Sequence, residues 1–141
     1  MDLVAATTGD WQFNASRTLG HVKGENWDAI SQTERNGRDE LKRVADAYLD
    51  WLLGGGNDTV PWGLPCSALE GSEYSAESCS EAAAARNGTV VGTERSYVID
   101  DTVGGVNVVF ESAEGLESYM FRVLMGKLRY VHHHVAAKKT A

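Results

Sequence analysis

The sequence predicts an α+β fold in which a cone-shaped, curved antiparallel sheet wraps over an N-terminal set of helices. This prediction depends on one amphipathic helix in the first half of the chain, on strand patterns in the second half, and on a tight turn at Met125-Gly126. Helices followed by an antiparallel sheet make an α+β order. We expect a single domain over residues 1–141, with a helical part at about 9–56, a sheet part at about 60–136 and a cavity between them.

The helical half contains one strong helix, predicted from Arg38 to Leu53. Acidic Asp39 and Glu40 lie in its first turn, where they complement the positive end of the helix dipole. Three consecutive glycines at 54–56 end it. Residues 9–36 are expected to form only short helical pieces. The apolar positions of the main helix recur at the i, i+3, i+4, i+7 spacing of a buried face: Leu41, Val44, Ala45, Tyr48, Leu49 and Leu52.

The sheet half begins with an extended segment from Val60 to Cys66, which two prolines restrain. A short strand is expected within 67–74 and a helical turn within 81–86. A meander then follows, with strands at 90–100 and 106–111 and a closing hairpin at 116–135.

The closing hairpin sets the predicted pocket wall. Glycine at the second turn position accepts the positive φ of a tight turn, so Leu124 should pair with Lys127. Side chains then alternate between the two faces. One face is an aromatic wall with a polar end, which is typical of a small-molecule pocket: Tyr119, Phe121, Val123, Leu128, Tyr130, His132 and His134. The opposite face carries Met120, Arg122, Leu124, Arg129, Val131 and His133.

Composition narrows the class of partner. The chain has 141 residues, 43% of them hydrophobic, and a formal net charge of −7. An acidic chain is not typical of nucleic-acid binding, which needs a basic face. No apolar run approaches the roughly 20 residues that span a bilayer, so no membrane partner is expected. The N-terminus lacks the features of a signal peptide. The chain is therefore either cytosolic or a mature form whose leader has been replaced by a start Met.

Cysteines and sequons favour the second alternative. Cys66 and Cys79 flank a polar loop, and a bridge between them would contribute about 3 kcal/mol. Two reduced, unrelated thiols are the other interpretation of this spacing. Three glycosylation sequons begin at Asn14, Asn57 and Asn87. Together these features indicate a secretory route.

Several segments resemble a known family. They are Asn26-Trp27-Asp28, the run Val60-Pro61-Trp62-Gly63 with Pro65-Cys66 and Leu69-Glu70-Gly71, and Gly126 to His132. The chain resembles a fungal secreted family, an uncharacterised branch of the SnoaL-like, nuclear transport factor 2-like cone superfamily. The resemblance implies a cone fold, a Cys66–Cys79 disulfide and a trimmed leader.

The resemblance does not imply one reaction. The wider superfamily includes ketosteroid isomerases, scytalone dehydratases, polyketide cyclases, fungal cyclases of secondary metabolism and plain binding proteins. The chain departs from the branch at Ala68 and Ser96, where basic residues are expected, and at His133 and His134, which replace small polar residues. These departures suggest a pocket adapted to its own substrate.

Four residues are candidate catalytic groups. His132 could move a proton near neutral pH, or it could be a satisfied, half-buried histidine. Tyr48 or Tyr130 could donate to a developing oxyanion, but an aromatic packed in the core is the more common role for a residue such as Tyr48. Glu70 is an acid or base if it enters the pocket, and a surface charge otherwise. His132 and His134 have the i, i+2 spacing of metal-binding strands, but the sequence nominates no firm third ligand, so no metal is expected.

Further residues are candidates for substrate binding: Trp62, Arg95, Tyr97, Tyr119, Phe121 and His134. Arg95 could bind a carboxylate or enolate, and Trp62 could stack on a planar ligand or cover the cavity base. Arg122 and Arg129 are expected on the outer sheet surface, where they could contribute to a homodimer interface.

Two functional hypotheses follow. The first is a cofactor-independent enzyme that isomerises, dehydrates or cyclises a small apolar metabolite by proton transfer, including the joining of two reactive monomers. The second is a secreted binding protein that uses the same cavity without turnover. No Walker loop, dinucleotide fingerprint, nucleophile elbow or paired CxxC is present in the sequence, so nucleotide-binding, serine-hydrolase and structural-zinc classes are not expected.

Overall fold

The computed structural model describes residues 5–7, 10, 13–52, 59–76, 78–80 and 94–137. These residues form an α+β fold with two helices and one curved, unclosed sheet of six strands. A short 3-10 turn at Gln32–Glu34 lies between the helices. The elements are α1 (Ala15–Lys23), α2 (Arg38–Leu52), β1 (Trp62–Glu70), β2 (Glu73–Ser75), β3 (Ser96–Asp100), β4 (Gly105–Ser112), β5 (Gly115–Leu124) and β6 (Lys127–Ala137).

The sheet is mixed, which corrects the expectation of a wholly antiparallel sheet. Its strand order is β2-β1-β6-β5-β4-β3. The meander from β3 to β6 is antiparallel, but β1 pairs with β6 in parallel. The chain between β1 and β6 is long enough to return in the same direction, as a parallel pair requires. As a result, the C-terminal end of β1 lies beside the C-terminal half of β6, and Glu70 is in register with His133.

Helix α2 agrees with the sequence pattern. Its apolar face is buried against β3, β4 and β5, and Tyr48 at its centre is wholly buried. The ring of Tyr48 contacts Phe121 with 5.1 Å between centroids, and it also contacts Tyr119 and Trp62. The predicted glycine stop at 54–56 lies outside the described residues.

The predicted turn pairing is confirmed, but a bulge changes the faces of β6. Leu124 pairs with Lys127 and Val123 with Leu128, and then Arg122 pairs with Tyr130. One extra residue, Arg129, therefore stands in β6 between two consecutive pairs. Because side chains alternate between the two faces of a sheet, one extra residue places every later side chain of β6 on the face opposite to the predicted one.

This change of face corrects the set of residues predicted to form the aromatic wall. Tyr119, Phe121, Val123 and Leu128 do lie on the face beneath α2. Tyr130, His132 and His134 are on the opposite face, in register with Arg122, Met120 and Ser118. In their place, Val131, His133 and Val135 face α2, in register with Phe121, Tyr119 and Glu117.

The opposite face of β5 and β6 is covered by residues 25–30. The backbone N–H of Asn26 donates to the Tyr130 hydroxyl at 3.1 Å, and the N–H of Ile30 donates to the Thr102 carbonyl at 2.7 Å. Helix α1 lies near the turn after β1, where Asn14 N–H donates to Ser72 Oγ at 2.6 Å. Both faces of the central strands are therefore covered.

The Cys66–Cys79 disulfide is confirmed, with 5.4 Å between the two Cα atoms. Asn14, the first sequon, is exposed at the N-cap of α1. The other two sequons, the helical turn expected at 81–86 and residues 90–93 of the predicted third strand lie outside the described residues. No helix within the described ranges is long and apolar enough to cross a membrane.

Candidate functional site

A buried histidine held between two glutamates is the most unusual polar feature of the described structure. His133 Nδ1 lies 2.7 Å from Glu70 Oε2, and His133 Nε2 lies 2.7 Å from Glu117 Oε1. The side chains of His133 and Glu117 are wholly buried, whereas that of Glu70 is 10% exposed. We call these three residues the Glu-His-Glu triad. Glu70 is the member nearest to solvent.

Three neighbouring strands position the triad. Glu70 is the last residue of β1 and is in parallel register with His133 on β6. His133 is opposite Tyr119 on β5, and Glu117 precedes Tyr119 by two residues on the same face. Only the parallel β1–β6 pair and the bulge at Arg129 together bring these side chains to one point.

The triad holds two protons. Each short contact needs one proton between nitrogen and oxygen, because an imidazole nitrogen and a carboxylate oxygen cannot both accept. The imidazolium form lies between two carboxylates, and the neutral imidazole form has one protonated glutamate. Both arrangements carry a net charge of −1, so a proton can move along the triad without changing its total charge.

The ring face of the His133 imidazole is also in contact with an aromatic side chain. Tyr119 stacks on His133 with 4.0 Å between ring centroids and an angle of 8° between planes. Phe110 and Phe121 stack in turn on Tyr119. The triad is therefore continuous with the aromatic core around Tyr48.

A second polar cluster lies on the opposite face of the sheet. His132 Nε2 is 2.6 Å from Glu25 Oε1, and the same oxygen accepts from Trp27 Nε1 at 2.9 Å. The Glu25 side chain is only 2% exposed. Tyr130 stacks on Trp27 at 5.7 Å. His132 and Tyr130 therefore hold residues 25–30 on the sheet, and they do not face Tyr48.

Arg122 belongs to this second cluster and corrects the expectation of an outer-surface arginine. It is 4% exposed and donates to the carbonyl oxygens of Asn26 and Asp28. Val131, also expected on the outer face, is buried beneath α2. Neither residue is available at the predicted dimer surface. The homodimer itself stays a prediction.

His134 lies on the same face as His132, with its ring edge-on to Phe13 at 5.9 Å. Burial lowers the pKa of His134, and repulsion from His132 and His133 lowers it further, against a smaller opposing effect of Glu70. Its position beside Phe13 gives it no contact with the aromatic wall that the sequence predicted.

Arg95 and Tyr97 form a network with α2. Arg95 binds Asp46 and Asp50 at 2.8 Å each, and the Tyr97 hydroxyl donates to Asp46 at 2.5 Å. Burial raises the pKa of the Asp46 carboxyl, but hydrogen bonds from Tyr97, Lys42 and Arg95 outweigh this effect and lower it overall. Arg95 is thus engaged in joining β3 to α2.

The structure brings together only part of the predicted site. Tyr48, Trp62, Tyr119 and Phe121 share the aromatic core, with Glu70 joined to it through His133. His132, Tyr130 and His134 lie on the other face, and Arg95 and Tyr97 both bind Asp46 of α2.

Sequence reasoning missed Glu117 and His133, and also Glu25 and Trp27 as partners of His132. The period-two pattern gave a usable signal for Glu117, because it alternates with Tyr119 and Phe121 on β5. His133 had no such signal, since the bulge that turns it inward is not visible in the pattern. No three His, Cys, Asp or Glu side chains in the described residues are arranged to hold a metal ion.

Comparison with known families gives one match. Residues 34–135 match the family described as a domain of unknown function, DUF8021. No curated protein matches the chain significantly. The matched region contains α2, strands β1 to β5 and all but the last two residues of β6, including the whole Glu-His-Glu triad. The chain therefore belongs to the DUF8021 family.

Proposed function

We propose that this protein is a cofactor-independent enzyme that transforms a small, mostly apolar metabolite by proton transfer. The reaction class is isomerisation, dehydration or cyclisation, including the joining of two reactive monomers in fungal secondary metabolism. The Glu-His-Glu triad is the observation that carries this proposal.

The energetic cost of the triad supports a functional role. Burying charged and polar groups costs free energy even when they are paired, and an apolar core of the same volume would fold without that cost. Buried, interacting titratable groups are concentrated at catalytic sites. A proton that moves within the triad leaves its total charge unchanged, and a proton taken from a substrate raises that charge only from −1 to 0.

Each member has a distinct role in the proposed reaction. Glu70 accepts a proton from a substrate carbon next to a carbonyl group, and the electron pair of that C–H bond moves onto the carbonyl oxygen as an enolate. Glu70 then returns the proton at another carbon in an isomerisation, or gives it to the hydroxyl group that the enolate expels as water in a dehydration. His133 holds Glu70 in position through Nδ1, and Glu117 holds the imidazole of His133 through Nε2.

Two further proposals concern the superfamily of the fold and the route by which the protein leaves the cell. The curved sheet and two helices are compatible with the nuclear transport factor 2-like cone superfamily, and we place the family there as a hypothesis. The Cys66–Cys79 disulfide supports a secretory route, because disulfides persist in oxidising compartments.

The alternative is a secreted protein that binds the same class of metabolite without turnover. The aromatic rings that adjoin the triad support it, because Tyr119 stacks on both His133 and Phe121 and aromatic side chains are typical of small-molecule sites.

The test uses a small β,γ-unsaturated cyclic ketone in heavy water. Conjugation of the double bond is followed by ultraviolet absorbance, and deuterium uptake by mass spectrometry. Glu70→Gln should lower turnover about a hundredfold or more, the usual contribution of a general base. Glu111→Gln, an exposed residue of β4, is the matched control and should retain full turnover.

Full turnover in a folded Glu70→Gln variant would remove the triad from the mechanism. Tight binding of the ketone by the wild-type protein, with the ketone recovered unlabelled and unconjugated, would support the binding protein instead.

A further inference from the structure

A groove of about 530 Å³ lies at the end of the sheet opposite the triad. Its existence follows from a mismatch between β1 and β6. Trp62 is in register with Leu128 and Ser67 with Tyr130, so five residue steps on β1 oppose two on β6. The surplus residues of β1 leave the ladder and form one wall. Its volume is in the range of sites for small molecules.

The groove has an apolar floor and an apolar rim. Trp62, Pro65 and Leu128 line it. Leu64 and Met125 stand at its edge with 97% and 77% of their surface exposed. Large apolar side chains exposed to this degree cost free energy in water, and a cluster of them beside a concave surface is typical of a binding site.

Two cations complete the lining. Lys127 and Arg129 both line the groove, and none of the described residues that line it is acidic. No ion pair between described residues involves Lys127 or Arg129. Arg129 is oriented by the Tyr130 ring, 4.3 Å from its guanidinium carbon, and by Ser67 Oγ at 3.2 Å. In a chain of net charge −7, a groove whose described lining residues carry only positive charges favours an anion.

We propose that this groove binds a small amphipathic anion, with an apolar body on Trp62 and Leu128 and one carboxylate or sulfonate beside Lys127 and Arg129. The site is separate from the Glu-His-Glu triad: Leu128 and His133 pair with Val123 and Tyr119, which are four residues apart on β5, about 13 Å at the usual rise. Binding there does not depend on the proposed proton transfer.

The test compares two probes of the same shape. Anilinonaphthalene sulfonate has an aromatic body and one negative charge, and N-phenylnaphthylamine has nearly the same body without the charge. Titration of the full chain with each probe, followed by fluorescence and calorimetry, should show one saturable site that prefers the sulfonate about tenfold or more.

Two variants at one exposed position separate charge from apolar contact. Leu64→Asp places a carboxylate at the rim, and Leu64→Asn removes the same apolar surface without a charge. Leu64 is almost fully exposed, so both variants should fold. Leu64→Asp should bind the sulfonate about tenfold more weakly than Leu64→Asn, whereas the neutral probe should not distinguish the two variants.

Equal affinities for both probes, or equal effects of both variants on the sulfonate, would overturn the proposal. Sedimentation that shows a wild-type dimer and a Leu64→Asp monomer would also overturn it, because a second copy of the chain would then be the occupant.

Discussion

The imidazole of His133 lies parallel to the ring of Tyr119, with 4.0 Å between the ring centroids. The two residues are directly opposite each other on β6 and β5. Glutamates hold the imidazole at both nitrogens, and Tyr119 holds it by its face. The orientation of the buried imidazole is therefore fixed by contacts from the two strands that flank β6, Glu70 of β1 and Glu117 and Tyr119 of β5.

Replacement of Tyr119 should show how much this stacking contributes to stability. Tyr119→Leu removes the ring and leaves a gap in the core, and we expect a loss of about 2 kcal/mol in the free energy of unfolding. Tyr119→Phe keeps the stacked ring and should lose about half as much. Urea unfolding measures both. Equal losses would show that the ring itself contributes nothing beyond the hydroxyl group.

Gly63 should not tolerate a side chain. A Cβ atom at this position would lie 2.1 Å from the Leu128 carbonyl oxygen, so β1 and β6 would have to separate. We expect Gly63→Ala to lower the free energy of unfolding by about 1–3 kcal/mol. Gly20→Ala in α1 is the control, since nothing lies within 4 Å of its added Cβ. Alanine should stabilise that helix by up to about 1 kcal/mol. A loss no greater at Gly63 than at Gly20 would contradict the prediction.

Arg122 should anchor residues 25–30 to the sheet. Its guanidinium donates to the carbonyls of Asn26 and Asp28, and Arg122→Gln should cost about 2 kcal/mol because charged donors make the stronger hydrogen bonds. Hydrogen exchange of the Asn26 and Ile30 amides should also become faster. Arg43→Gln, at an exposed ion pair on α2, should change stability by less than about 0.5 kcal/mol. Unchanged exchange in Arg122→Gln would exclude the anchoring role.

Acid should destabilise the protein through His134. Its pKa is lower in the folded chain than the ordinary value of 6.5, so the unfolded chain binds the proton more readily. The stability that neutral His134 contributes is fully present above that ordinary value and is lost as the pH falls below it towards the folded pKa. His134→Gln should therefore show a smaller fall in melting temperature between about pH 7.5 and pH 5 than the wild type. Identical falls would contradict this assignment.

Sequence patterns predicted the local elements well where a short-range rule applies. The apolar spacing of α2 and the glycine turn at Gly126 both gave elements that the structure confirms. The Cys66–Cys79 bridge, which the family resemblance implied, is also confirmed. Long-range pairing followed no such rule, so the parallel contact of β1 with β6 was not predicted.

In the candidate site, too, short-range patterns predicted some positions correctly and long-range fit decided the others. Tyr48, Tyr119 and Phe121 each follow a helix or strand period, which placed them on facing surfaces of α2 and β5, and the structure brings their rings into contact. His132 was placed on the wrong face because one extra residue in β6 reversed the alternation.

The sequence by itself determined the α+β order, the buried face of α2 and the hairpin turn, since helix periodicity and turn stereochemistry act between near neighbours in the chain. Only the tertiary structure decided which histidine enters the core. A bulge at Arg129 turned His133 inward, and the parallel pairing of β1 then supplied Glu70. Both depend on how distant strands fit together, and no local pattern of residues encodes that fit.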